Sequence, residues 1–249
     1  MAKAVPFPHV GYNEPSHKRV RVVFGGEFIV DTTRARLVWE HTYYPTYYFL
    51  HSDVPNKLLQ ASSSLPRPPE SGTEVCDLVH NGQRAPKAAI LHRMGPLAGL
   101  VKIIFDKADA WFEEEEEIFV HPKDPYKRVD VLQSARRVRV ELEGTLLADT
   151  LKPRLLFETG LPVRTYIPKT DVRLDLLVHS ELTSACPYKG VAGYYDVKLP
   201  SGEKRDGLVW WYRNPTVECA DIKGYVAFYD EKVDVFVDGV RVDRPSTHF

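Results

Sequence analysis

The chain has 249 residues, 43% of them hydrophobic, which suits one large or two small domains with a core each and argues against disorder over most of its length. Its 33 Lys and Arg stand against 34 Asp and Glu, so no broad basic face for nucleic acid or anionic lipid is expected. The opening MAKAVPFPHVGYNEP lacks the apolar core of a secretory signal, and no run of about 18 apolar residues occurs, so neither secretion by the usual signal nor membrane spanning is expected.

Along the chain the hydrophobic period is mainly two. Residues 1–18 read as an extension, and Val20-Arg21-Val22 then alternates apolar and basic as a half-buried strand does. Tyr47-Tyr48-Phe49 is a further strand, and Asp53 is an N-cap-type residue before a short helix ending at Leu58-Leu59. Ala61 to Gly72, rich in Ser and Pro, reads as a solvated loop. The acidic run Glu113 to Glu117 is a charged surface edge, and the prolines of His121-Pro-Lys-Asp-Pro-Tyr-Lys-Arg128 mark a linker over residues 121–135. Arg139 to Leu142 alternates again, and Asp171 opens a second short helix before Leu174, Leu176 and Leu177. Strands at Gly193 to Val197 and Val209 to Tyr212 flank a turn at Pro200 to Glu203, and Val233 to Val242 reads as a hairpin around Asp238-Gly239. The expected class is all-β with a few short helices.

The sequence also repeats. At a shift of 118 residues Arg19-Val-Arg-Val22 falls on Arg137-Val-Arg-Val140, Asp31-Thr32 on Asp149-Thr150, Glu40 on Glu158, Tyr48 on Tyr166 and Asp53-Val54 on Asp171-Val172. At a shift of 125, Gly99, Val101 and Lys107 meet Gly224, Val226 and Lys232. Residues 19–120 and 136–245 are therefore two copies of one unit. They differ at Cys186-Pro-Tyr-Lys-Gly190, where the first copy has Pro68-Pro69-Glu70 in its Ser/Pro-rich segment.

The order RVRV, DT, LLFETGLP, TYIPKTDVRLDLL, CPYKGVAGYY and IKGYVAFYDEKVDV resembles the family called domain of unknown function 427, in tandem form. The resemblance covers about Arg19 to Pro245 and implies two β-tent-like domains, similar to methionine sulfoxide reductase B and the thalidomide-binding domain of cereblon. It implies no established reaction.

Chemistry is sought in the second copy. Cys186, three residues before Lys189, is either an activated thiolate or a small buried apolar residue. Lys189 is an anion clamp, an amine activated by burial or a surface lysine, and Tyr188 is a general acid or a pocket wall. Arg164 and Arg173 occur only in the copy that has Cys186 and Lys189, Thr46 and Pro55 standing at those positions in the first, so together they suit a carboxylate or phosphate. Glu158, Tyr166, Asp171, Trp211 and Tyr212 complete the candidate pocket, although Glu40 and Asp53 at the matching positions make Glu158 and Asp171 scaffold candidates as well. His121 in the linker is either a general base lying across a shared cleft or a solvated histidine. Cys76, Cys186 and Cys219, odd in number and widely spaced, suit reduced thiols in the cytoplasm and offer no CxxC pair for zinc, and the histidines lack ligand spacing. No GxGxxG, Walker, GxSxG or HExxH pattern occurs, so no metal and no cofactor is expected. The function this suggests is a cofactor-independent hydrolase, isomerase or lyase acting on a small anionic or carbonyl-bearing metabolite. The alternative is a module that binds a ligand or peptide end without turnover.

Overall fold

The computed structural model describes residues 7–62 and 72–247. The chain divides into two units, Met1–Pro125 and Tyr126–Phe249. In the first, the strands are β1 (Asn13–Pro15), β2 (Val20–Phe24), β3 (Glu27–Thr32), β4 (Arg36–Val38), β5 (Thr46–Leu50), β6 (Leu59–Ala61), β7 (Thr73–His80), β8 (Gln83–His92), β9 (Leu100–Ile103), β10 (Ala110–Glu113) and β11 (Glu116–Ile118). They form a seven-stranded sheet in the order β1-β4-β5-β9-β8-β7-β6 and a four-stranded sheet in the order β11-β10-β2-β3.

The second unit has β12 (Val129–Gln133), β13 (Val138–Leu142), β14 (Thr145–Thr150), β15 (Arg154–Glu158), β16 (Arg164–Pro168), β17 (Leu177–Cys186), β18 (Gly190–Lys198), β19 (Lys204–Tyr212), β20 (Tyr225–Phe228), β21 (Asp234–Val237) and β22 (Val240–Arg241). The orders β12-β15-β16-β20-β19-β18-β17 and β14-β13-β21-β22 reproduce the first unit strand for strand. The architecture is all-β in two tandem units. The remaining helical pieces are short 3-10 turns, and no helix of the described residues is long and apolar enough to cross a membrane.

Alternation explains the strands. In β13, Val138, Val140 and Leu142 are buried while Arg139 is exposed, because successive side chains point to opposite faces. The hairpins are tight where the sequence supplies positive φ: Asn81-Gly82 between β7 and β8, and Asp238-Gly239 between β21 and β22, have both central residues left-handed, as a type I′ turn requires.

Two boundaries differ from the sequence reading. Residues 129–133, inside the stretch taken as a linker, form β12 on β15, and Asn13–Pro15, inside the N-terminal extension, pair with β4 at the equivalent edge. Both are edge strands, where Pro15 needs no ladder partner for its missing N–H, so the nearby prolines do not prevent pairing. Asp53 and Asp171 do not cap helices either. They accept the hydroxyls of Thr32 at 2.7 Å and Thr150 at 2.6 Å, tying each 3-10 turn to a strand of the other sheet. The contrast at Pro68-Pro69-Glu70 lies outside the described residues.

Within each unit the space between the two sheets holds the main core. In the first it contains Val20, Val22, Trp39, Tyr47, Phe49, Val101 and Trp111. In the second it contains Val138, Val140, Ile167, Val209, Val226 and Phe228. A further cluster in the second unit, with Leu156, Tyr166, Tyr194, Trp210, Tyr212, Cys219 and Ile222, covers the other face of the large sheet.

Candidate functional site

Strands β17 and β18 are closed by Pro187-Tyr188-Lys189, with Cys186 paired to Gly190. Gly190 has φ +98°, and a Cβ there would meet the Asn214 carbonyl at 3.0 Å, so the tip requires glycine. The tip is anchored through backbone: Thr216 Oγ1 donates to the Tyr188 carbonyl, and the Thr216 N–H to that of Lys189 at 3.2 Å. These bonds aim the Lys189 ammonium inward, where it pairs with Glu158 at the end of β15. The two side chains are 14% and 7% exposed, a nearly dry ion pair.

Burial works to lower the Lys189 pKa, but the negative field of Cys186 and Glu158 outweighs it and the net direction is up. Lys189 is therefore held as an ammonium, which disfavours the burial-activated amine. Burial pushes the Cys219 thiol and the phenols of Tyr166 and Tyr212 up as well. Tyr188 is buried, Cys186 half-buried, and Tyr166 accepts the Trp210 indole N–H at 3.1 Å. Cys186, Lys189, Glu158, Tyr166 and Tyr212 thus share one side of the large sheet.

Arg164 lies on that same side of the sheet but is committed to other partners, and the remaining candidates lie apart from the cluster. Arg164 on β16 is spent on carboxylates: it donates to Glu231 at 2.6 and 2.9 Å, lies 3.6 Å from Asp230 and covers the Trp210 ring. Arg173 is exposed and pairs with Asp175 at 2.6 Å. Each arginine has its own carboxylate partner in place. Asp171 is taken by Thr150, and Trp211 belongs to the inter-sheet side, stacked on Tyr195 with the Lys169 ammonium 3.8 Å from its ring. His121 belongs to the first unit, where its ring stacks on Tyr44 at 3.7 Å in a groove of about 420 Å³ that also includes Glu40, His41 and Lys102. Among the described residues no group of three or more His, Cys, Asp or Glu is placed to hold a metal ion.

One site escaped the sequence reading. Between the sheets of the second unit lies an apolar cleft of about 380 Å³, walled by Leu155, Phe157, Val163, Val235 and Val237, with Asp230 in its lining and Arg136 and Asp243 as further charged groups. The first unit has aromatic rings at the corresponding positions, and they line its own groove of about 420 Å³. At the shift of 118, Thr165 replaces Tyr47, and at the shift of 125, Asp230 replaces Phe105. Strand register completes the set: Trp111 pairs with Val22 and Val235 with Val140, so Val235 stands where the first unit has Trp111. Tyr47 and Trp111 are 2% exposed, and Phe105 stacks on Trp111 at 5.1 Å. Three rings become Thr, Val and Asp, so at these positions the second unit's cleft has smaller side chains and a carboxylate where the first unit's groove has rings. The exchange of Tyr47 for Thr165 was visible in the repeat, but the facing of the two positions depends on β16 and β21 lying in opposed sheets.

Asp230 is the chemically unusual group. Burial raises its pKa, and Arg164 offsets only part of that, leaving it at about 7. Its neighbour Glu231 is also raised by burial, but direct bonds from Arg164 and Thr247 bring it down to about 2.

No curated protein matches the chain. A family model does, and it matches twice, over residues 13–114 and 130–239, which takes in β1 and β12 and nearly all of each unit's two sheets. With the repeated topology and these two matches over most of its length, the chain belongs to the family described as Domain of unknown function (DUF427) and carries that domain in tandem.

Proposed function

We propose that the second unit is a small-molecule-binding module whose site is the apolar cleft between its sheets. The observation that carries this is the replacement of Tyr47, Phe105 and Trp111 by Thr165, Asp230 and Val235. A concave, mostly apolar cavity with a few polar groups is the usual form of a ligand site. The reading of an enzyme centred on Cys186 and Lys189 has less support, because Lys189 is held as a buried ammonium by Glu158 and is not poised to give up a proton. A catalytic reading of the cleft itself is favoured by one feature, the Asp230 carboxyl at about 7, which suits a general acid or base near neutrality. The β-tent likeness of each unit and a cytoplasmic address, suited to the reduced Cys76, Cys186 and Cys219, belong to the same proposal.

The test is a fragment screen on the full chain by saturation-transfer NMR, repeated on Thr165→Tyr, which restores the first unit's residue. Hits that bind the natural chain and are lost in the variant are expected. Hits that all survive the substitution would place binding elsewhere and remove the proposal.

A further inference from the structure

We infer that the cleft of the second unit takes a small hydrophobic ammonium, its apolar body against Leu155, Phe157, Val163 and Val235 and its N–H donors on the Asp230 carboxylate. The inference rests on the cleft being a ligand site and adds the chemical class of the ligand.

The argument is one of charge balance in a dry place. Arg164 brings one positive charge to two carboxylates, and its two hydrogen bonds go to Glu231, which Thr247 also serves. Asp230, at 3.6 Å, receives only the remainder, and its side chain is 15% exposed. With both carboxylates ionised the group carries one unbalanced negative charge beside apolar walls, where charge is screened least. The cleft's other ionic groups, Arg136 and Asp243, are exposed, opposite in sign and cancel. A proton can supply the missing positive charge, and so can a ligand ammonium. A carboxylate ligand would add a second negative charge at the same place. A neutral ligand would gain the apolar contacts alone.

Three probes of similar shape separate these cases in titration calorimetry on the full chain: 2-phenylethylamine, 2-phenylethanol and 3-phenylpropanoate. The amine is expected to bind at least tenfold more tightly than the alcohol, and that preference is expected to shrink to within about twofold in Asp230→Asn. A second readout uses the natural chain only. Asp230 faces Arg164 and Glu231, with Arg136 and Asp243 across the cleft, and it ionises as pH rises. Amine affinity should therefore climb about tenfold between pH 6 and 8, while alcohol affinity stays flat. Equal binding of amine and alcohol would overturn the ammonium and leave the cleft as a site for neutral apolar ligands. Tightest binding of the carboxylate would overturn it in favour of an anion held by Arg136. If none of the three bound, the cleft itself would fail as a ligand site and the inference with it.

Discussion

Removing the Lys189 ammonium while leaving Glu158 in place tests whether the hairpin tip of the second unit is held by a buried ion pair. In Lys189→Met the methylene stem is largely kept and only the charge is lost. Glu158, 7% exposed, is then a carboxylate in a nearly dry site beside Tyr166 and Tyr212. Breaking a buried pair from one side costs about 3–5 kcal/mol. Hydrogen–deuterium exchange of the full chain, read on peptides from β15 and β18 against peptides from the first unit, confines the measurement to the second unit. A loss below about 1 kcal/mol at pH 7 would refute the buried-pair argument. The double variant Lys189→Met with Glu158→Leu should regain most of the stability, since a well-packed apolar pair replaces a buried ionic one at little cost.

Other outcomes follow from the same geometry. Gly190→Ala should cost about 1–3 kcal/mol in urea titration, more than Gly144→Ala, because only at Gly190 does a backbone carbonyl crowd the new methyl. In timed alkylation read by mass spectrometry, half-buried Cys186 should react in the native chain, whereas Cys76 and Cys219, buried and with thiols pushed up, should react only on unfolding. Comparable native rates for all three would contradict the burial. Asp230 has a folded pKa of about 7 against roughly 3.9 unfolded, so its contribution is fully favourable below pH 4 and is lost as pH rises toward 7. Asp230→Asn should therefore stabilise the chain at pH 8 relative to the natural protein more than at pH 4, and a pH-independent effect in denaturant titrations would argue against the raised value.

Much of the fold was legible because its signals are local or periodic. The strands β2 and β13, the hairpin at Asp238-Gly239 and the repeat itself need only alternation, turn residues and self-comparison. Strands β1 and β12 were hidden because they are short and close to prolines, and edge pairing leaves little mark on composition. In the site, the step from Cys186 to Lys189 and the embedded Glu158 did indicate a cluster. The partners of Arg164 did not show: Glu231 is 67 residues further on and reaches it only because β20 lies next to β16. A single-strand reading cannot tell that an arginine in apolar surroundings already has its carboxylates. The cleft was missed for a related reason, since an absence of volume is shared by residues from opposed sheets and belongs to no segment.

The two units pair the equivalent carboxylate with lysines from different places. Glu40 takes Lys102, which lies on β9 directly across from Tyr48, while Ala227 occupies that position opposite Tyr166 and Glu158 relies on Lys189 from the hairpin tip. The first unit's carboxylate is thus satisfied from inside its sheet. A peptide epitope grafted between Cys186 and Gly190 would therefore remove the counter-ion of Glu158. For anyone who wishes to label, tether or immobilise this protein, the second unit's hairpin tip is the wrong handle.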